Sequence, residues 1–122
     1  MEYVQRVDFA KIDAADKRFT QALLARSDEY AGCTVNCIKT PAGEGSPAGL
    51  HTHPVDQLFY VMSGVMSLEI AGRQYEAGPG TLVVFPKGVP HRNWNAGTEP
   101  TVHLAIQIPA PDPNIPFSVT VG

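Results

Sequence analysis

His51 and His53 stand two residues apart in the stretch Gly45 to Gly64, GSPAGLHTHPVDQLFYVMSG. In an extended strand, residues at i and i+2 point to the same face. Two imidazoles side by side are the beginning of a metal site, because neutral imidazole ligates divalent transition ions well. Pro54 follows at once, so the strand should bend there. Gln57 then opens the apolar run Leu58-Phe59-Tyr60-Val61-Met62, which reads as the next strand. A second stretch, GTLVVFPKGVPHRNWN from Gly80 to Asn95, contributes His91. Single strand histidines usually pack or hydrogen-bond. Three in register with turn glycines favour a metal.

The elements that must position these side chains are short strands. Cys33 to Lys39 reads as one, followed by a loop from Thr40 to Gly49 with turn signals and no periodicity. Val65 to Ile70 and Gln74 to Glu76 form a hairpin through Ala71-Gly72. Gly78-Pro79-Gly80 turns the chain, and Thr81 to Phe85 reads as a buried apolar strand. Pro86-Lys87-Gly88 is a tight turn that brings His91 back toward the first pair. Thr101 to Ile108 alternates, with Val102, Leu104, Ile106 and Ile108 on one face and Thr101, His103, Ala105 and Gln107 on the other. His103 therefore has two readings, and a hydrogen-bonded surface residue is favoured over a catalytic acid/base beside the metal. Phe59, Tyr60, Met62, Met66, Phe85 and Trp94 are read as core. Asn95 fixes the turn after His91, Arg92 is a solvent-facing pair partner, and Glu69 and Glu76 are surface charges.

The two ends are less patterned. Residues 1–8 read as a short strand or an ordered arm. The stretch 13–30, with Phe19, Leu23 and Leu24, reads as a short helix or a strand. The tail carries four prolines between Pro109 and Pro116, which bars it from a central strand. It reads as an extended arm over 109–122 whose Phe117 to Val121 adds to a sheet edge.

Composition narrows the class. A chain of 122 residues is enough for one domain with a real core, and no internal repeat divides it. Its 11 Gly and 11 Pro between short apolar runs suggest an all-β sandwich or barrel. A net charge of -3 with no basic run argues against nucleic acid. No apolar stretch approaches the ~20 residues that span a bilayer, and the first residues lack a signal pattern, so a cytoplasmic home is expected. Cys33 and Cys37 lie ~13 Å apart if their segment is a strand, beyond the ~7 Å between Cα atoms that a disulfide allows. They are read as reduced core thiols.

Both stretches carry a family resemblance. Gly45, His51, His53 and Gly64 fall in register with the first cupin motif: Gly, five residues, His-x-His, three or four residues, Glu, six residues, Gly. Gly80, Pro86, Gly88, His91 and Asn95 match the second: Gly, five residues, Pro-x-Gly, two residues, His, three residues, Asn. The chain resembles a small single-domain cupin, with Gln57 where the first motif has Glu. The resemblance implies a double-stranded β-helix, a jelly-roll barrel of one domain over 1–122. It also implies one divalent metal, Fe, Mn, Ni, Cu or Zn, on His51, His53, Gln57 and His91, and a homodimer formed sheet to sheet; by its residue type Gln57 either ligates through its amide oxygen or holds a water or a neighbouring histidine.

Gln57 changes the chemistry at that position. An amide oxygen is neutral, so the ion's charge is left uncompensated and an anionic substrate is attracted. The carboxylate that could act as general base is gone. Three functions follow. The resemblance favours a dioxygenase-like oxidoreductase acting on an enolisable or aromatic substrate. A non-redox isomerase, cyclase or lyase and a non-catalytic binder of sugars or other small ligands are the alternatives.

Overall fold

In a computed structural model of the protein, residues 2–28, 30, 32–45 and 49–121 are described. Among them a short helix, α1 (Phe9–Ala14), precedes ten strands. These are β1 (Phe19–Leu24), β2 (Thr34–Thr40), β3 (His51–Thr52), β4 (Asp56–Ser63), β5 (Met66–Ile70), β6 (Arg73–Ala77), β7 (Leu82–Phe85), β8 (His91–Trp94), β9 (Thr101–Ile108) and β10 (Val119–Thr120). They form two five-stranded sheets, ordered β1-β2-β9-β4-β7 and β10-β3-β8-β5-β6. From β2 to β10 the chain crosses between sheets at every step except the β5–β6 hairpin. This is the jelly-roll path of a double-stranded β-helix, as the resemblance implies. Ser46, Pro47 and Ala48 of the expected loop lie outside the described residues, as do Met1, Glu29, Ala31 and Gly122.

Period-two alternation fills the space between the sheets. Phe59 and Val61, Met66 and Leu68, and Val83 and Phe85 point inward and meet Ile38, Ala77 and Ala105. Each buried side chain of this size contributes about 1.5–3 kcal/mol. The turns are built for the crossings. Ala71 and Gly72 both take positive φ, 53° and 78°, as a tight two-residue hairpin loop requires. Gly64 also takes positive φ, 77°, where any Cβ would run into the Pro100 carbonyl.

Three expectations are corrected. The strand expected over 81–85 is buried on one face only: Val83 and Phe85 are inside, but Leu82 and Val84 are 58% and 49% exposed. β7 is the edge of its sheet, so its continuous apolar run serves two different faces. Tyr60, Met62 and Trp94 stay out of the interior. Tyr60 is exposed, Met62 packs outside the first sheet, and Trp94 lies under the Arg92 guanidinium, 4.8 Å from the ring centre. Of the two cysteines, both free, Cys37 is buried, while Cys33 is half-buried just before β2. Arg92 pairs with Glu69 at 3.1 Å.

Residues 2–8 form the ordered arm rather than a strand. Gln21 Nε2 donates to the Arg6 carbonyl and Gln21 Oε1 accepts from the Asp8 amide, each at 2.9 Å. The stretch 13–30 contains β1. Ahead of it lies α1, whose six residues are too few to show a helical stripe. It is held from both ends. Asp8 accepts from the Lys11 amide at 3.1 Å as an N-cap. At the other end the buried Lys39 ammonium donates to the carbonyls of Ile12 and Ala15 at 2.7 Å, satisfying the helix C-terminus. Ile12 then packs on Cys37 and Val102, on the outer face of the first sheet.

Asn95 ties off the strand that carries His91. It is 2% exposed; its Nδ2 donates to the carbonyls of Thr40 (3.2 Å) and Glu99 (2.8 Å), and its Oδ1 accepts from the Gly97 amide (3.0 Å). Asn95→Ala strands three backbone groups, so a loss of about 2 kcal/mol is expected. Urea unfolding with an unchanged m-value measures it, and a loss under about 0.5 kcal/mol would match an ordinary surface change instead.

Candidate metal centre

β3 and β8 are antiparallel neighbours with His51 opposite His91. His53 lies one residue beyond β3 on the same face as His51. The Pro86-Lys87-Gly88 turn is pinned beside it: the Gly88 amide donates to the His53 carbonyl at 3.1 Å, and the Lys87 amide to Asp56 Oδ1 at 2.8 Å. The three rings converge, with centroids 4.3 to 4.8 Å apart. One donor nitrogen of each lies within 4.8 Å of the others, and all three side chains are buried.

Their hydrogen bonds decide which nitrogens are free. His51 Nδ1 faces the Gly49 carbonyl at 3.2 Å, His53 Nδ1 the Phe117 carbonyl at 2.7 Å, and His91 Nδ1 the Val89 carbonyl at 3.0 Å. A carbonyl only accepts, so each Nδ1 carries the proton and each Nε2 is left with its lone pair. Burial pushes His91 down to about 4 and lowers His53, outweighing the carbonyl bonds that act the other way. Both are neutral imidazoles at pH 7, the form that ligates a metal. The residues present fit a divalent ion.

Around this cluster lies a cavity of about 260 Å³. Gln57 is buried in β4 and lines it together with His51 and His53. The surface reading of His103 is corrected: it is 1% exposed and lines the same cavity, and neither ring nitrogen has a hydrogen-bond partner. The reason is the choice of faces on β9. Thr101, His103, Ala105 and Gln107 point into the barrel, and the more aliphatic set points out, where Val102 and Leu104 meet the α1 cluster and Ile108 is exposed.

The tail supplies a wall that the sequence showed only in outline. Val119 and Thr120 of β10 pair with β3, so the expected edge strand forms. That pairing carries Phe117 onto His53, ring on ring at 4.1 Å and 20° between planes. A lone aromatic just beyond a proline-rich arm was the available signal. Gln107, anchored by Thr34 Oγ1, and Arg18 also line the cavity and were missed. Gln107 could have been read from the face it shares with His103, whereas an isolated arginine between two elements has no pattern.

The cupin-domain family model matches residues 38–107, more than half of the chain. This chain is a cupin. No curated protein sequence matches it, but many solved structures share its fold. The polyketide cyclase RemF from Streptomyces resistomycificus is 22% identical with a TM-score of 0.72, over 88% of this cupin and 72% of RemF. An RmlC-like cupin from Methanocaldococcus jannaschii with a double-stranded β-helix is 18% identical with a TM-score of 0.71, over 90% and 93% of the two chains. The DMSP lyase DddQ from Ruegeria pomeroyi is 20% identical with a TM-score of 0.68, over 95% of this cupin and 56% of DddQ. Identities this low establish the fold alone. Among the described residues no helix is long and apolar enough to cross a membrane.

Gln57→Glu tests the fourth position. A carboxylate beside a divalent ion should tighten metal binding by about tenfold or more, the factor that ~1.4 kcal/mol of added attraction produces. Metal titration of both proteins reads this directly, and equal affinities would place Gln57 outside the ligand set.

Proposed function

We propose that this cupin is a metal-dependent enzyme acting on a small, enolisable substrate anion. His51, His53 and His91 hold one divalent ion and Gln57 is the fourth ligand. The observation that carries this reading is the set of three Nε2 lone pairs, each freed by an Nδ1 bond to a carbonyl. A divalent ion so held supplies a Lewis acid for an enolate or carboxylate oxygen. Phe59 and Phe117 add apolar surface to the cavity lining. His103, neutral and without a partner, is placed to take a proton from a substrate carbon.

Proton transfer of this kind belongs to an isomerase, cyclase or lyase, and two fold neighbours carry the names cyclase and lyase. The dioxygenase reading draws on the neutral donor set, because an enolate or catecholate would bring the missing charge. Elemental analysis of protein purified without added metal comes first, followed by oxygen uptake and solvent-deuterium incorporation with a panel of diketones and catechols. Zinc with deuterium incorporation and no oxygen uptake supports the first reading. A redox metal with substrate-dependent oxygen uptake supports the second, and ligand binding without turnover would leave a binding protein.

Two free thiols fit a reducing, cytoplasmic home. A homodimer is proposed on the outer face of the first sheet, where Tyr60, Leu82, Val84 and Ile108 are exposed. Light scattering should give twice the chain mass, and Val84→Lys should halve it; a wild-type monomer removes the proposal.

A further inference from the structure

The cavity wall carries an uneven charge. Its lining includes no aspartate or glutamate among the described residues. Imidazoles and the amides of Gln57, Asn93 and Gln107 make up most of its polar part, and none of these carries a negative charge. The one permanently charged side chain is Arg18. With a divalent ion on the histidine cluster, the cavity therefore holds two positive poles and no negative one. That arrangement is costly when empty of anions and favourable when one enters.

The position of Arg18 fits a clamp at the mouth. It directly precedes β1, an edge strand of one sheet, and Phe117 and Ser118 directly precede β10, an edge strand of the other. All three line the cavity, which thus opens between these two edges. Phe19, the next residue, is packed in the outer cluster with Ile12 and Cys37, so the arginine's backbone is anchored while its side chain remains exposed. Its charge reaches inward, since after burial it is the second cause that holds His103 in the neutral form. The same lining includes Ile38, Phe59 and Phe117, an apolar surface suited to a short carbon chain. At about 260 Å³ the space is below the range of sites that take drug-sized ligands.

We propose that the cavity takes a short oxo acid, its carboxylate held by Arg18 and its second oxygen turned to the histidine cluster. This assignment rests on the metal-centred reading above and narrows its substrate class. The guanidinium fork matches a carboxylate with two parallel N–H···O bonds, a geometry that a neutral ester or amide does not reproduce with equal strength.

The test is calorimetric titration of the zinc-loaded protein with acetoacetate and 4-oxopentanoate, and with the neutral analogues acetoacetamide and methyl 4-oxopentanoate. Wild type, Arg18→Gln and Arg18→Lys are compared, with zinc content measured on each sample. The expected result is that Arg18→Gln weakens the acids about tenfold to a hundredfold, as loss of a charge-assisted pair does, and leaves the neutral analogues unchanged. Arg18→Lys should fall between, and acid binding by the wild type should weaken as salt is raised. A wild type that holds no zinc removes the metal-centred reading and this assignment with it. A fully zinc-loaded wild type that ignores both acids, or binds them no better than Arg18→Gln does, overturns the carboxylate assignment and leaves the metal centre standing.

Discussion

Replacing His51 or His91 by alanine is expected to abolish stoichiometric metal binding, where the wild type retains one ion per chain. In the proposed centre each ring would be a ligand whose free nitrogen has been set by a bond on its other side. Removing one would leave two imidazoles, with Gln57 if it ligates as proposed, facing an ion that can recover its hydration shell. Loss of a group that merely orients a ligand costs roughly 10- to 100-fold in affinity, so loss of a ligand should exceed that. The rings also touch one another at centroid distances of 4.3 to 4.8 Å, so an alanine opens the cluster to water. His103→Gln is the control: its ring lines the cavity but is not among the three that converge, and that variant should keep its metal. Elemental analysis after dialysis decides the matter. If both alanine variants keep a full complement, this cluster is not the metal centre.

The histidine cluster was legible because its cause is local. The spacing of His51 and His53 gives a shared face from strand geometry alone, and the turn residues around Gly88 make His91 return. The edge pairing of the tail was legible as well, because Phe117, Val119 and Val121 alternate with Ser118 and Thr120 after the prolines. What was not legible depends on which face of a strand the barrel closes around. Alternation in Thr101 to Ile108 is symmetric and does not say which face is the inner one, so His103 was read as a surface residue. The barrel instead puts Thr101, His103, Ala105 and Gln107 inside, because the outer face of β9 is partly covered by α1. That helix has six residues and owes its existence to Asp8 and Lys39 rather than to propensity, so no pattern announced it. β7 repeats the lesson: four apolar residues in a row say strand, but only the sheet order says that two of them look outward.

The placement of His103 leads to a pH effect on stability. Burial first, and the charge of Arg18 second, push it down to about 4, whereas in the unfolded chain it titrates near ~6.5. Between those values the unfolded state binds the extra proton and the folded state does not, so stability falls as pH drops through this window. This linkage costs about 3 kcal/mol by pH 4 relative to pH 7. His91, also near 4, adds to the same slope in metal-free protein and persists when His103 is replaced. The comparison that isolates His103 is therefore between profiles. Urea unfolding of chelator-treated wild type and His103→Gln at pH 7, 5.5 and 4.5 should give a shallower fall in the variant, with the difference reaching about 2 kcal/mol at pH 4.5. The absolute stability of the variant is no guide, since a glutamine amide in that position needs partners of its own. Parallel profiles would mean that His103 takes up its proton in the folded state as readily as in the unfolded one. The buried, partnerless position that recommends it as a proton acceptor would then be wrong.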